Sequence, residues 1–169
     1  MSSRVDYLVK HLELKPHPEG GYFREMYRSE ESHLKEHLPH RFTGSRSHCT
    51  SIYFLLFGNN FSALHRIKSD EMWHHYEGGT LEIFSIDELG KLTVHKLGKN
   101  FEEGEEPQIV IKAGEWFGSK LKDKDSYALV GCTVAPGFDF DDFEMGDEKT
   151  LLNLFPQHKN IIKELSHKS

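Results

Sequence analysis

From Gly20 to about Glu144 the chain is a succession of short β-branched and aromatic segments broken by glycine and charged turns. "GYFREMYRS", "CTSIYFLLF", "FSALHRIK", "EMWHHYE", "TLEIFSID", "EWFGS", "SYALVGCTVA" and "FDFDDFEM" are among about ten predicted strands, at the spacing of a sandwich or barrel. "DELGK" and the pair Gly78–Gly79 read as hairpin turns. No long helical pattern separates the strands, which disfavours parallel strand–helix–strand architecture. Helical spacing appears only at the ends. Val5, Leu8, Val9 and Leu12 form one apolar stripe, and "EKTLLNLFPQHKNIIKELS" forms another that Pro156 divides. The expectation is one all-β domain over residues 1–169, with short N- and C-terminal helices.

A net charge of −6, with acids and bases mixed, lacks the clustered positive field of a nucleic-acid binder. The start "MSSRVDYLVKHLELK" has no uninterrupted apolar stretch, so neither a signal peptide nor a membrane span is expected, and cytoplasmic residence follows. Cys49 and Cys132 stand in apolar runs without a CxxC partner and read as buried thiols. Of the twelve histidines, His33, His37 and His40 read as a surface loop. His11, His17, His158 and His167 sit in terminal or turn-like contexts and carry little information.

Side chains alternate across a strand, so parity sorts each segment into two faces. In "FSALHRIK" the face Phe61, Ala63, His65 and Ile67 is read as inward. In "EMWHHYE" the faces Glu71–Trp73–His75 and Met72–His74–Tyr76 are both mixed, and parity alone does not choose.

A histidine on one strand, an acid opening the next and a glycine seven residues after that acid resemble the first motif of the cupin superfamily: His65, Glu71 and Gly78. "KPHPEGGYFREMYRS", "SIYFLL", "HRIKSDEMWHHYEG", "IKAGEWF" and "SYALVGCTVAPGFDFDDFE" follow in the order of a small cupin family of unknown function. The resemblance implies a double-stranded β-helix, a jelly-roll barrel with a pocket in its mouth, assembled as a homodimer. It turns the Glu71–Trp73 face inward. It implies no particular reaction.

Metal-dependent cupins supply histidines and a carboxylate for a transition metal. Here the partner position two before His65 is Ala63, and Trp116 and Phe117 follow "KAGE" where a last ligand would stand. His75 lies about 13 Å along the strand from Glu71, too far to share an ion with it. No cofactor is therefore expected; the alternative is a divalent transition metal with His65 and Glu71 as partial ligands. In the metal-free reading Glu71 orients His65, which acts as general base. Tyr127 is the candidate acid. Arg24, or Arg28, is the candidate anion fork, and Ala63, Trp73, His75 and Phe117 are the candidate lining of a site for a small organic molecule. Phe138, Phe140 and Phe143 read as a lid or core closure. Isomerase- or epimerase-type proton transfer is expected, with a non-catalytic binding protein as its rival.

Overall fold

The structure, a computed structural model, describes residues 3–167. In chain order its strands begin with β1 (Lys15–Pro16), β2 (Tyr22–Arg28), β3 (Ser32–His33), β4 (Arg46–Ser47), β5 (Thr50–Phe57) and β6 (Phe61–Arg66). They continue with β7 (Asp70–Gly78), β8 (Leu81–Ile86), β9 (Leu92–Leu97), β10 (Gln108–Ile111), β11 (Trp116–Leu121), β12 (Tyr127–Ala135) and β13 (Glu144–Met145). Helix α1 (Ser3–His11) precedes them, and α2 (Glu148–Leu154) and α3 (Lys159–Glu164) follow. No helix among the described residues is long and apolar enough to cross a membrane.

Two antiparallel sheets make the jelly roll. One runs β1-β2-β5-β12-β7-β10 and the other β13-β6-β11-β8-β9. Register on the inner faces sets Val130 opposite Phe54, Cys132 opposite Trp73, and Phe117 opposite His65. Alternation sends Phe54, Leu56, Trp73, Ile83, Phe117 and Val130 into the shared core. The opposite parity is not left wet. Leu55 and Leu129 turn outward beneath Val5 and Leu8 of α1. Leu64, Ile86 and Trp116 turn outward beneath Leu151, Ile162 and Leu165 at the C-terminal end. Each such side chain contributes about 1.5–3 kcal/mol when fully buried, so the terminal helices are part of the fold's stability and leave the barrel mouth free.

The segment "FDFDDFEM" departs from the strand predicted for it. Asp139 accepts a hydrogen bond from the Asp141 N–H at 2.9 Å, closing a single 3-10 turn over Phe140–Asp142, and only Glu144–Met145 pairs as β13. Asp142 is buried and holds Arg46 through two contacts of 2.6 and 2.7 Å, which ties the turn to β4. Cys132 is buried as expected; Cys49 is only half-buried, a correction that follows from its place just before β5. His33, His37 and His40 are exposed, with the His33 ring tilted against His48 at 4.3 Å.

Candidate functional site

The barrel mouth holds a cavity of about 240 Å³. At its polar end are His17, Glu19, His65, Glu71 and Cys132; Phe23, Ile52, Ile67 and Val134 are apolar wall. Phe138, Phe140 and Phe143 line it too, their rings 5.0 to 6.2 Å apart.

His65 is buried between two rings, Phe117 at 4.2 Å and Phe143 at 5.3 Å. Its Nδ1 donates to the Ala63 carbonyl at 2.7 Å, and its Nε2 lies 3.0 Å from Glu19 Oε2. A carbonyl only accepts, so Nδ1 carries a proton; with Glu19 ionised, as its lowered pKa favours, Nε2 carries one too and the ring is an imidazolium. Burial alone would hold it neutral. The Glu19 charge and hydrogen bond, with smaller pushes from Glu71 and the Ala63 carbonyl, outweigh burial and lift its pKa above the ordinary 6.5. Burial likewise pushes Glu19 up, but His65 and then His17 hold its pKa below the usual 4.5.

Glu19 reaches this position from a loop that only glycine permits. Gly20 and Gly21 have φ of 111° and 71°, and a Cβ on Gly20 would run into the Phe61 carbonyl oxygen. The loop can thus lie against β6, where the Glu19 carbonyl accepts from Ala63 N at 2.8 Å. His17 Nδ1 accepts from the Glu19 N–H at 3.2 Å, so a neutral His17 keeps its proton on Nε2. Burial lowers the His17 pKa, against Glu19, and favours that neutral form.

Glu71 projects from β7 into the same cavity and is buried, with the Cys132 thiol as hydrogen-bond donor. Burial pushes its pKa up to about 7; His65 pulls it down and Glu19 adds to the rise. The Cys132 thiol is pushed well above its ordinary value by burial and by both carboxylates, so it stays protonated.

Several expected roles are corrected by this geometry. The carboxylate bonded to His65 is Glu19, not Glu71, because Nε2 points toward the loop. Tyr127 faces away from the cavity, on the α1 side of β12, and donates to Glu77 Oε1 at 2.6 Å beside Arg4. Arg24 turns to Glu13 at 3.0 Å and to the Leu12 carbonyl, so it grips no pocket anion. Trp73 packs deeper, against Phe54 and Phe117, and does not line the cavity. His75 is buried further along β7, bonded to the Gly79 carbonyl at 2.9 Å. Ala63 and Phe117 contact His65 but not the cavity. His17 and Glu19 were not singled out as site residues; the Gly20–Gly21 pair, which allows a close backbone approach, was the available signal. Tyr127→Phe is accordingly expected to cost less than about 1 kcal/mol in a urea titration and to leave ligand chemistry unchanged.

A family model described as Cupin superfamily (DUF985) matches residues 6–146. The chain belongs to this cupin family. Among solved structures it is similar to protein SO0799 from Shewanella oneidensis, 41% identical with a TM-score of 0.88, covering 97% of this chain and 98% of that one. A hypothetical protein from Leishmania major is 34% identical with a TM-score of 0.86, covering 96% and 98%. The uncharacterized protein YML079W of Saccharomyces cerevisiae is 28% identical over 148 residues, 83% of this chain and 74% of that protein. Oxalate decarboxylase OxdC of Bacillus subtilis, 18% identical with a TM-score of 0.55 over 92% of this chain and 38% of that one, shares the fold alone.

Other cupins hold metals, and the donors present here do not fit one. A ligating imidazole needs a free lone pair, and both His65 nitrogens are bonded as donors. Among the described residues no group of three or more His, Cys, Asp or Glu side chains is placed to hold an ion.

Proposed function

We propose that this cupin binds a small organic molecule in the barrel mouth and moves a proton on a carbon next to a carbonyl, without a metal. The observation that carries the reading is the arrangement of charge. One imidazolium faces two buried carboxyl groups and is bonded to only one of them, Glu19, which leaves Glu71 as the group free to exchange a proton.

In the forward step the Glu71 carboxylate takes the proton from carbon. The C–H electron pair becomes the C=C of an enolate, and the carbonyl π pair moves to oxygen. The neutral His17 donates its Nε2–H to that oxygen, and the nearby His65 charge lowers the cost of the negative charge. Glu71 then returns the proton to the other face or to the neighbouring carbon, which completes an epimerisation or isomerisation. A base poised near neutrality suits this task, since it is ionised at the working pH yet holds the proton long enough to return it. Phe138, Phe140 and Phe143 reduce access of water to the intermediate.

The test is a panel of hydroxy ketones, sugars, keto acids and nucleotide sugars incubated with the protein in deuterated water. Loss of a C–H signal next to a carbonyl, with the rate rising as pH passes about 7, is the expected result. A panel member that binds in the cavity without exchange would return the protein to the class of plain binding proteins.

A further inference from the structure

The proton-transfer reading leaves the ligand's chemistry open, and the cavity's charges narrow it. Four carboxyl groups line it, those of Glu19, Glu25, Glu71 and Asp139. Arg28 is the one lysine or arginine among the described lining residues, and it is already occupied. Its Nε and Nη2 bond both Glu25 oxygens at 3.0 and 2.8 Å, and its Nη1 bonds Ser47 Oγ and the Phe138 carbonyl. His65 is paired with Glu19, so it offers a transient enolate its residual field but is no free counterion for an anionic ligand. An entering anion would meet carboxylates with no unpaired cation to receive it, and beside the buried Glu71 low dielectric makes like charges costly. A ligand N–H or O–H, in contrast, meets carboxylate oxygens, the strongest acceptors available. Phe23, Phe138 and Phe143 present ring surface that suits a flat apolar body and, if it is charged, a cation.

We infer that the pocket takes a small uncharged or singly cationic molecule bearing an N–H or O–H donor on a flat apolar body, and rejects carboxylates and phosphates. The inference rests on the proposed site but not on its reaction. It removes keto acids and nucleotide sugars from the candidate substrates and keeps amino or hydroxy carbonyl compounds.

Benzylamine, benzyl alcohol and benzoate share one ring and nearly one size, and differ in charge. Their binding is measured at pH 8 by calorimetry, and their position by aromatic carbon–proton correlation spectra of the phenylalanines lining the cavity. The expected result is benzylamine binding at least tenfold tighter than benzoate, with benzyl alcohol between them. Glu71→Gln is expected to weaken benzylamine several-fold and to narrow the gap to benzoate. Equal affinities, tighter binding of benzoate, or no shift of cavity phenylalanines by any probe would overturn the inference. Benzylamine binding in the cavity with no deuterium exchange by any panel member would leave this inference standing and sink the proposed reaction instead. Exchange on a keto acid would do the reverse.

Discussion

Glu71→Gln is expected to abolish carbon–hydrogen exchange while making the protein more stable above neutral pH. Removal of a positioned general base costs about 10²–10⁴ in rate, and glutamine has no proton to cycle. The stability effect follows from proton linkage. In the unfolded chain the carboxyl ionises near 4.5, and in the fold near 7, with burial as the main cause. Below 4.5 both states hold the proton and nothing is lost. Between 4.5 and about 7 the unfolded chain releases its proton while the fold retains it, so stability falls as pH rises. At 1.36 kcal/mol per tenfold in proton affinity the loss totals about 3 kcal/mol and is constant thereafter. Glutamine carries no such slope. Urea titrations of both proteins from pH 4.5 to pH 8 are expected to show the variant gaining about 3 kcal/mol on the wild type across that range. A gap that does not change with pH would mean that Glu71 already has a countercharge, and the base would have to be sought elsewhere.

The fold was legible because its signals are local. Period-two alternation and glycine turns fix strands wherever one face is buried; parity turned His65 inward, and the cupin resemblance was needed to turn Glu71 toward the same interior. Three of the errors mark places where local pattern and position diverge. In "FDFDDFEM" the alternation of phenylalanine and aspartate imitates a strand, but Asp139 competes for the backbone and closes a turn. On β12 alternation correctly grouped Tyr127 with Leu129, but both sides of that sheet are covered, and this is the side under α1; the cavity side carries Cys132 and Val134. Glu19 stands in a loop, where no period applies. Its role depends on how the Gly20–Gly21 turn folds back over β6, a contact between segments more than forty residues apart. Sequence pattern thus gives the scaffold and half of the acid–base cluster. The other half is tertiary.

Glu19→Gln keeps the shape of the loop side chain and removes its charge, so it tests the buried pair directly. The two partners limit the pair from opposite sides. Glu19 has a folded pKa below 4.5, so its contribution is present above 4.5 and is lost as pH falls through the lower folded value. His65 has a folded pKa above 6.5, so its contribution is complete below 6.5 and is lost as pH rises through the higher folded value. The pair is therefore fully formed between 4.5 and 6.5. Breaking a buried pair by removing one partner costs about 3–5 kcal/mol, and this loss is expected at pH 5.5, shrinking toward pH 8 as His65 becomes free to deprotonate. Part of the cost is offset from within the cavity. Glu19 helps to push Glu71 up, and Glu71 is the other carboxyl whose charge His65 feels. In Glu19→Gln, Glu71 loses that push and becomes the nearest countercharge, so the rise of exchange rate with pH is expected to move below 7. The double variant Glu19→Gln/Glu71→Gln leaves His65 with neither carboxylate, and a double-mutant cycle at pH 5.5 is expected to show coupling of about 1 kcal/mol or more. Additive effects, or Glu19→Gln as stable as wild type at pH 5.5, would mean that the imidazole is neutral in the fold and that the cavity holds no fixed positive charge to steady an enolate.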